Sequence, residues 1–153
     1  MKDMDLTFKD NKHILNIRVA GIIIKDNRVL MVKNLRSDYI YSLGGRLKFG
    51  ESAARGVVRE VYEETGVHME IDRLGFIHEN FFIGSTPSKM NQQVYEITFY
   101  FYMKVPADFH IETDTATADG DPWNGGKCTL MIYDSFGKRL LEKPCDFTQN
   151  NQV

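Results

Sequence analysis

A chain of 153 residues, 42% hydrophobic and 26% charged, with a formal net charge of −2, holds one domain's worth of length and enough apolar content to bury a core without staples. That charge supplies no broad basic surface for nucleic-acid phosphates, and no apolar run reaches the length that spans a bilayer. Cys128 and Cys145 lack zinc or redox spacing, which argues against a disulfide scaffold or structural zinc, and the charged N-terminus MKDMDLTFKDNKHILNIRV has no h-region, which makes the cytoplasm the default location.

Taken in order, residues 1–13 are polar, with Leu6 and Phe8 suited to a short edge strand. The stretch ILNIRVAGIIIKDNRVLMVKN is rich in β-branched residues and holds the turn signal Asp26-Asn27, which predicts strands at about 14–25 and 28–34 paired as a hairpin. The run Ile22-Ile23-Ile24 suggests cover on both faces. Tyr39 to Leu43 reads as a short strand delivering a loop at Gly44-Gly45, where two glycines permit a close approach to the backbone. Ser52 is the expected N-cap of a helix over 53–64, with Gly66 as its left-handed terminator. Residues 69–82 form one strand with a break near Arg73 to Gly75, and residues 93–105, QVYEITFYFYMKV, form its antiparallel neighbour. Residues 112–127 have little to bury and read as a disordered loop. A short strand at Cys128 to Tyr133 and at most two helical turns at Ser135 to Glu142 close the chain.

The helix carries the chemistry. Glu60, Glu63 and Glu64 sit three and four apart on one side, while Ala54, Val57, Val58 and Val61 gather on another. Glu60 and Glu64 repel at i, i+4, and a divalent cation between them would relieve that. An ordinary solvated charged face gives the same composition, and spacing decides between the two. Gly45, Glu51, Arg59, Glu60, Val61, Glu63, Glu64, Gly66 and Val67 fit G-x5-E-x7-R-E-U-x-E-E-x-G-U, where U is a bulky aliphatic. At roughly 7% usage per residue type, seven fixed positions coincide by accident on the order of once in 10^8 starts. The stretch Gly45 to Val67 resembles the signature box of the Nudix hydrolases, with every position filled.

The resemblance implies an α/β chain, a Nudix-type α/β/α sandwich on a mixed sheet, as one domain over residues 1–153. Relatives usually end in a strand and an amphipathic helix. Residues past Pro106 match that poorly, so the C-terminal helical layer is expected to be reduced or supplied by a neighbouring subunit. The implied activity is hydrolysis of a phosphoanhydride bond, with water attacking phosphorus. The implied cofactor is Mg2+ or Mn2+, held by Glu60 and Glu64 with Glu63 and the backbone of Gly45. Arg59 then organises the carboxylates by pairing with a residue such as Glu51. Glu63, Glu64 and Glu96 are the candidates for activating water, Glu96 because it interrupts an aromatic strand with a carboxylate. An outward-facing strand residue is the alternative for Glu96. Glu79 and Glu112 rank below it, and His78 reads first as structural.

Candidate substrate contacts are Arg46, Phe81 and Tyr95, the two rings being able to stack a base, although such rings more often serve as core. In the family, a proline just after the box accompanies ADP-ribose hydrolases and a tyrosine accompanies dinucleoside polyphosphate hydrolases. Phe82 to Ser85 carry neither. The resemblance implies a small-nucleotide partner and leaves a nucleoside triphosphate, a nucleotide sugar and ADP-ribose all open. A Nudix-fold sensor that binds without turnover is the rival reading, against which stands the full set of box carboxylates. Apolar strands around 76–82 and 94–103 raise homodimerisation, a pattern that burial within a monomer also explains.

Overall fold

The β-branched and aromatic runs form strands and the glutamate-rich stretch forms a helix, in a computed structural model that describes residues 3–26, 28–34, 40–109, 127–134 and 139–146. The elements are β1 (Thr7–Lys9), β2 (His13–Ile22), β3 (Ile24–Lys25), β4 (Arg28–Asn34), β5 (Ile40–Arg46), α1 (Ala53–Thr65), β6 (Glu70–Ile83), β7 (Gln93–Lys104), β8 (Lys127–Asp134) and β9 (Arg139–Asp146). They make one mixed sheet in the order β6-β7-β2-β5-β4-β8-β9, with β1 added to β2 and β3 to β4. The β2/β7 pair is parallel and joins Ile14 to Val94 through Ile22 to Tyr102. Among the described residues no helix is long and apolar enough to cross a membrane.

Strand periodicity divides the sheet into two faces. Val19 of β2, Ile23 just after it, Leu43 of β5 and Phe101 and Met103 of β7 meet Val57 and Val61 of α1 in the core. Residues of the opposite parity, Asn16 and Arg18 on β2 with Glu96 and Thr98 on β7, therefore turn to the face away from the helix. Gly21 shows how closely α1 lies on the sheet, since a Cβ there would come within 2.6 Å of Val61 Cγ2. Both helix caps are as expected. Ser52 accepts from the Arg55 amide at 3.2 Å, and Gly66, at φ 73°, closes the C-terminus by donating to the Tyr62 carbonyl.

Several sequence expectations are corrected. The hairpin across Asp26 is confined to β3 and β4, joined at Ile24–Val29 and Lys25–Arg28, because β5 and β7 occupy the edges of β2. Ile23 is buried but Ile24 is half-exposed, so the isoleucine run is covered unevenly. Gly44 and Gly45 lie within β5, paired with Ala20 and Val19, not in a loop. Glu60 and Glu64 are 2% and 7% exposed, on the sheet side of α1 beside Val57 and Val61, so the acidic face is not a solvated one. Residues Arg139–Asp146 form a strand in place of helical turns, recruited by the β8 ladder from Lys127–Asp146 to Tyr133–Arg139. Pro144 is tolerated there because β9 is terminal in the sheet order. β6 and β7 pair as expected, with irregularities at Asp72 and Gly75. The loop expected over 112–127 lies outside the described residues save for Lys127, which opens β8.

Candidate functional site

The site is assembled where α1 crosses β5. Helix periodicity aims Glu60 and Glu64 at β5, and the glycine pair receives them. At Gly45 a Cβ would stand 2.6 Å from the Cδ and both oxygens of Glu60, so glycine leaves the space that this carboxylate fills. One residue earlier the Gly44 amide donates to Glu64 Oε2 at 3.0 Å. A Cβ at Gly44 would lie 2.1 Å from the Val19 carbonyl oxygen, so only glycine fits the strand at that point.

Arg59 binds the acidic group together. Its Nε and Nη2 donate to Glu51 Oε1 and Oε2 at 2.7 and 2.9 Å, a two-pronged contact. Nη1 donates to Glu60 Oε1 at 2.6 Å and to Glu63 Oε2 at 3.1 Å, while Nη2 also reaches the Arg46 carbonyl at 3.2 Å. The Glu51 hydrogen bond, followed against the opposing effect of burial by the Glu60 hydrogen bond and charge, raises the Arg59 pKa above its ordinary value. In return the Arg59 hydrogen bond holds the Glu51 carboxyl below the usual carboxylate range, with partial burial opposing it and the Lys48 amide assisting.

The donors suit a hard divalent cation: carboxylate oxygens on one helix face, against a strand that offers backbone and no side chain. The glycine cradle at position 45 adds the room. Among the described residues, however, no three His, Cys, Asp or Glu side chains stand as a metal-holding group. Positive charge already occupies the space between Glu51, Glu60 and Glu63 as the Arg59 guanidinium.

Of the residues singled out from sequence, Gly45, Glu51, Arg59, Glu60, Glu63 and Glu64 are brought together. Glu96 is not among them. It lies on the sheet face away from α1, where the buried Asn16 donates to its Oε2 at 2.9 Å. A cavity of about 460 Å³ opens on that face, lined by Arg18, Ser42, Gly44, Asn80, Lys89 and Glu96 among others. Gly44 thus touches both the cavity and Glu64. Arg46, beside Arg18 in the β2/β5 register, pairs with Asp5 at 3.4 Å. Phe81 and Tyr95 stack on each other with centroids 4.4 Å apart in a separate apolar groove of about 700 Å³ with Phe8 and Leu15. Sequence reasoning passed over Asn16, Arg18 and Lys89. Asn16 and Arg18 were detectable as polar residues at alternate positions of the apolar run ILNIRVAG.

A mixed sheet carrying an acidic helix laid against a glycine pair is an α/β architecture built to hold charge at one strand end. The chain belongs to the Nudix family, whose NUDIX domain profile matches residues 15–122. It is 35% identical over 66 residues to a MutT-like protein of Streptomyces ambofaciens, covering 42% of this chain and 43% of that protein. An ADP-ribose pyrophosphatase of Methanocaldococcus jannaschii is 38% identical over 61 residues, 38% of this chain and 36% of the relative. The chain thus matches less than half the length of either. Among solved structures, a UDP-X diphosphatase superimposes with a TM-score of 0.52 at 18% identity, over 82% of this chain and 54% of that one, a likeness of fold.

Proposed function

We propose that the chain hydrolyses a phosphoanhydride bond in a nucleoside diphosphate-linked substrate, in dependence on magnesium or manganese. The observation that carries this is the placement of Glu60 in the space that glycine at position 45 leaves, with Glu64 on the adjacent amide. Glu60, Glu63, Glu64 and the Gly45 backbone would hold the cation, which when bound neutralises phosphate charge and polarises the phosphorus under attack. The residues do the rest. Arg59 keeps Glu51, Glu60 and Glu63 from repelling one another and fixes their rotamers. The Gly44 amide orients Glu64, which we assign to accept the proton of the attacking water, with Glu63 beside it. The candidate substrates are a nucleoside triphosphate, a nucleotide sugar and ADP-ribose. The name of the Methanocaldococcus relative supports the last of these, over the two-fifths of the chain that it matches.

Phosphate release from a panel of these nucleotides, with and without magnesium, tests the activity and names the class. Glu64→Gln is expected to abolish magnesium-dependent hydrolysis, by about 100-fold or more, while the protein stays folded by circular dichroism. A variant that keeps wild-type turnover would remove Glu64 from the reaction. Tight nucleotide binding by the wild type without release of any product would make the protein a sensor.

A further inference from the structure

Arg18 and Lys89 flank Glu96 in the cavity on the sheet face away from α1, and neither is fully used there. Each stands 3.9 Å from Glu96 Oε2, beyond hydrogen-bond reach. The bond within reach of that oxygen comes from Asn16, at 2.9 Å. Among the described residues neither the Arg18 guanidinium nor the Lys89 ammonium donates a hydrogen bond to protein, and the ammonium lies 5.9 Å over the Phe82 ring. Both are nevertheless enclosed, with side chains 28% and 23% exposed. Among the described lining residues, Arg18 and Lys89 against Glu96 leave one positive charge in surplus, while Arg46 nearby is paired with Asp5 at 3.4 Å. Burial pushes the Lys89 ammonium below its ordinary pKa, Glu96 opposes this, and the Arg46 and Arg18 charges add to it. Two enclosed cations that share one carboxylate, neither hydrogen-bonded to it, leave charge that a ligand can compensate.

We infer that Arg18 and Lys89, bridged by Glu96, form an oxyanion subsite for a phosphate monoester or carboxylate at the end of the substrate remote from the scissile linkage. The inference rests on the reading that the phosphoanhydride lies by Gly44, the residue common to the cavity and the acidic helix. The cavity's size is in the range of sites that take a sugar or nucleoside moiety. Glu96 is then a positioning residue. It balances half of the paired positive charge and screens the repulsion between the two cations, while Asn16 holds it in place. One further negative charge from the ligand brings the cavity to neutrality, which a nucleoside end without an anionic group does not.

The test compares matched ligands by isothermal titration calorimetry on the full chain without divalent cation. One pair is ADP-ribose with and without a phosphate on the adenosine 2′ hydroxyl, and the other is UDP-glucuronate against UDP-glucose. At least a tenfold preference for the anionic member is expected in one pair, which is 1.4 kcal/mol, and the pair showing it distinguishes phosphate from carboxylate. Lys89→Met and Arg18→Gln, one on a loop and one on a strand, should each bring that ratio toward one. A ratio near one in both pairs, a ratio that survives both substitutions, or no binding by any of the four ligands would overturn the inference. Because no turnover is measured, an inactive protein that keeps the preference counts against the proposed hydrolysis alone. An active protein without the preference counts against the subsite alone.

Discussion

Replacing Gly45 by alanine adds one methyl group between β5 and Glu60. The new Cβ would stand 2.6 Å from the Glu60 carboxylate, which must retreat by roughly 0.8 Å to reach the 3.4 Å of an ordinary contact. The side chain is flexible in principle, but here it is buried and its Oε1 is held at 2.6 Å by Arg59. Leaving its rotamer costs about 0.5–1.5 kcal/mol, and losing the charged hydrogen bond costs about 1.5–3 kcal/mol. A loss of about 2–4 kcal/mol leaves a domain of ordinary stability folded. Hydrolysis should suffer more, since a displacement of about 1 Å at a reacting site can cost about 100-fold. Urea unfolding and magnesium-dependent phosphate release, measured on the same preparation, separate the two effects. Gly44→Ala is the contrast, because its Cβ meets the Val19 carbonyl at 2.1 Å and relief requires parting β2 from β5. Wild-type turnover in Gly45→Ala would refute the placement of Glu60, and a loss of stability without loss of turnover would refute its role.

The remaining expectations concern the bonds that hold the acidic group together. Arg59→Ala leaves Glu51, Glu60 and Glu63 facing one another and is expected to destabilise by about 3–5 kcal/mol. Added magnesium should recover part of the loss, and Arg59→Lys, which keeps the charge but not the fork, should recover less than half. Denaturation curves at several magnesium concentrations check both, and a neutral effect of Arg59→Ala would sink the bridging role. Glu51 gives a pH signature. Its folded pKa is lowered from 4.5, so the unfolded chain takes up the proton first. The stability it contributes is complete above about 4.5 and is lost as pH falls through the lower folded value. The melting-temperature gap between wild type and Glu51→Gln should therefore be constant from neutrality to about pH 5 and narrow below it. A gap unchanged at about pH 3 would contradict the pairing.

The residues of α1 were legible in the chain because its signals are local. Ser52 caps the first turn, Gly66 adopts the left-handed turn at φ 73°, and the spacing of Arg59, Glu60, Glu63 and Glu64 assigns them to adjacent turns. The β6/β7 pairing was equally legible, since two long β-rich runs are joined by a short loop. Tertiary structure decided the rest. Neither composition nor spacing shows that Glu60 and Glu64 are buried, because burial of two like charges depends on what β5 presents to them. A glycine pair read as a loop became a paired strand once Val19 and Ala20 lay opposite. Glu96 looked like a candidate base from its interruption of an aromatic strand, yet strand parity sends it to the other face, beside Asn16 on a segment eighty residues away in sequence. Alternation along a strand can be read from a chain, but which face meets the helix depends on register with distant strands. Here that register separates the acidic helix from the cationic cavity, with Gly44 shared between them.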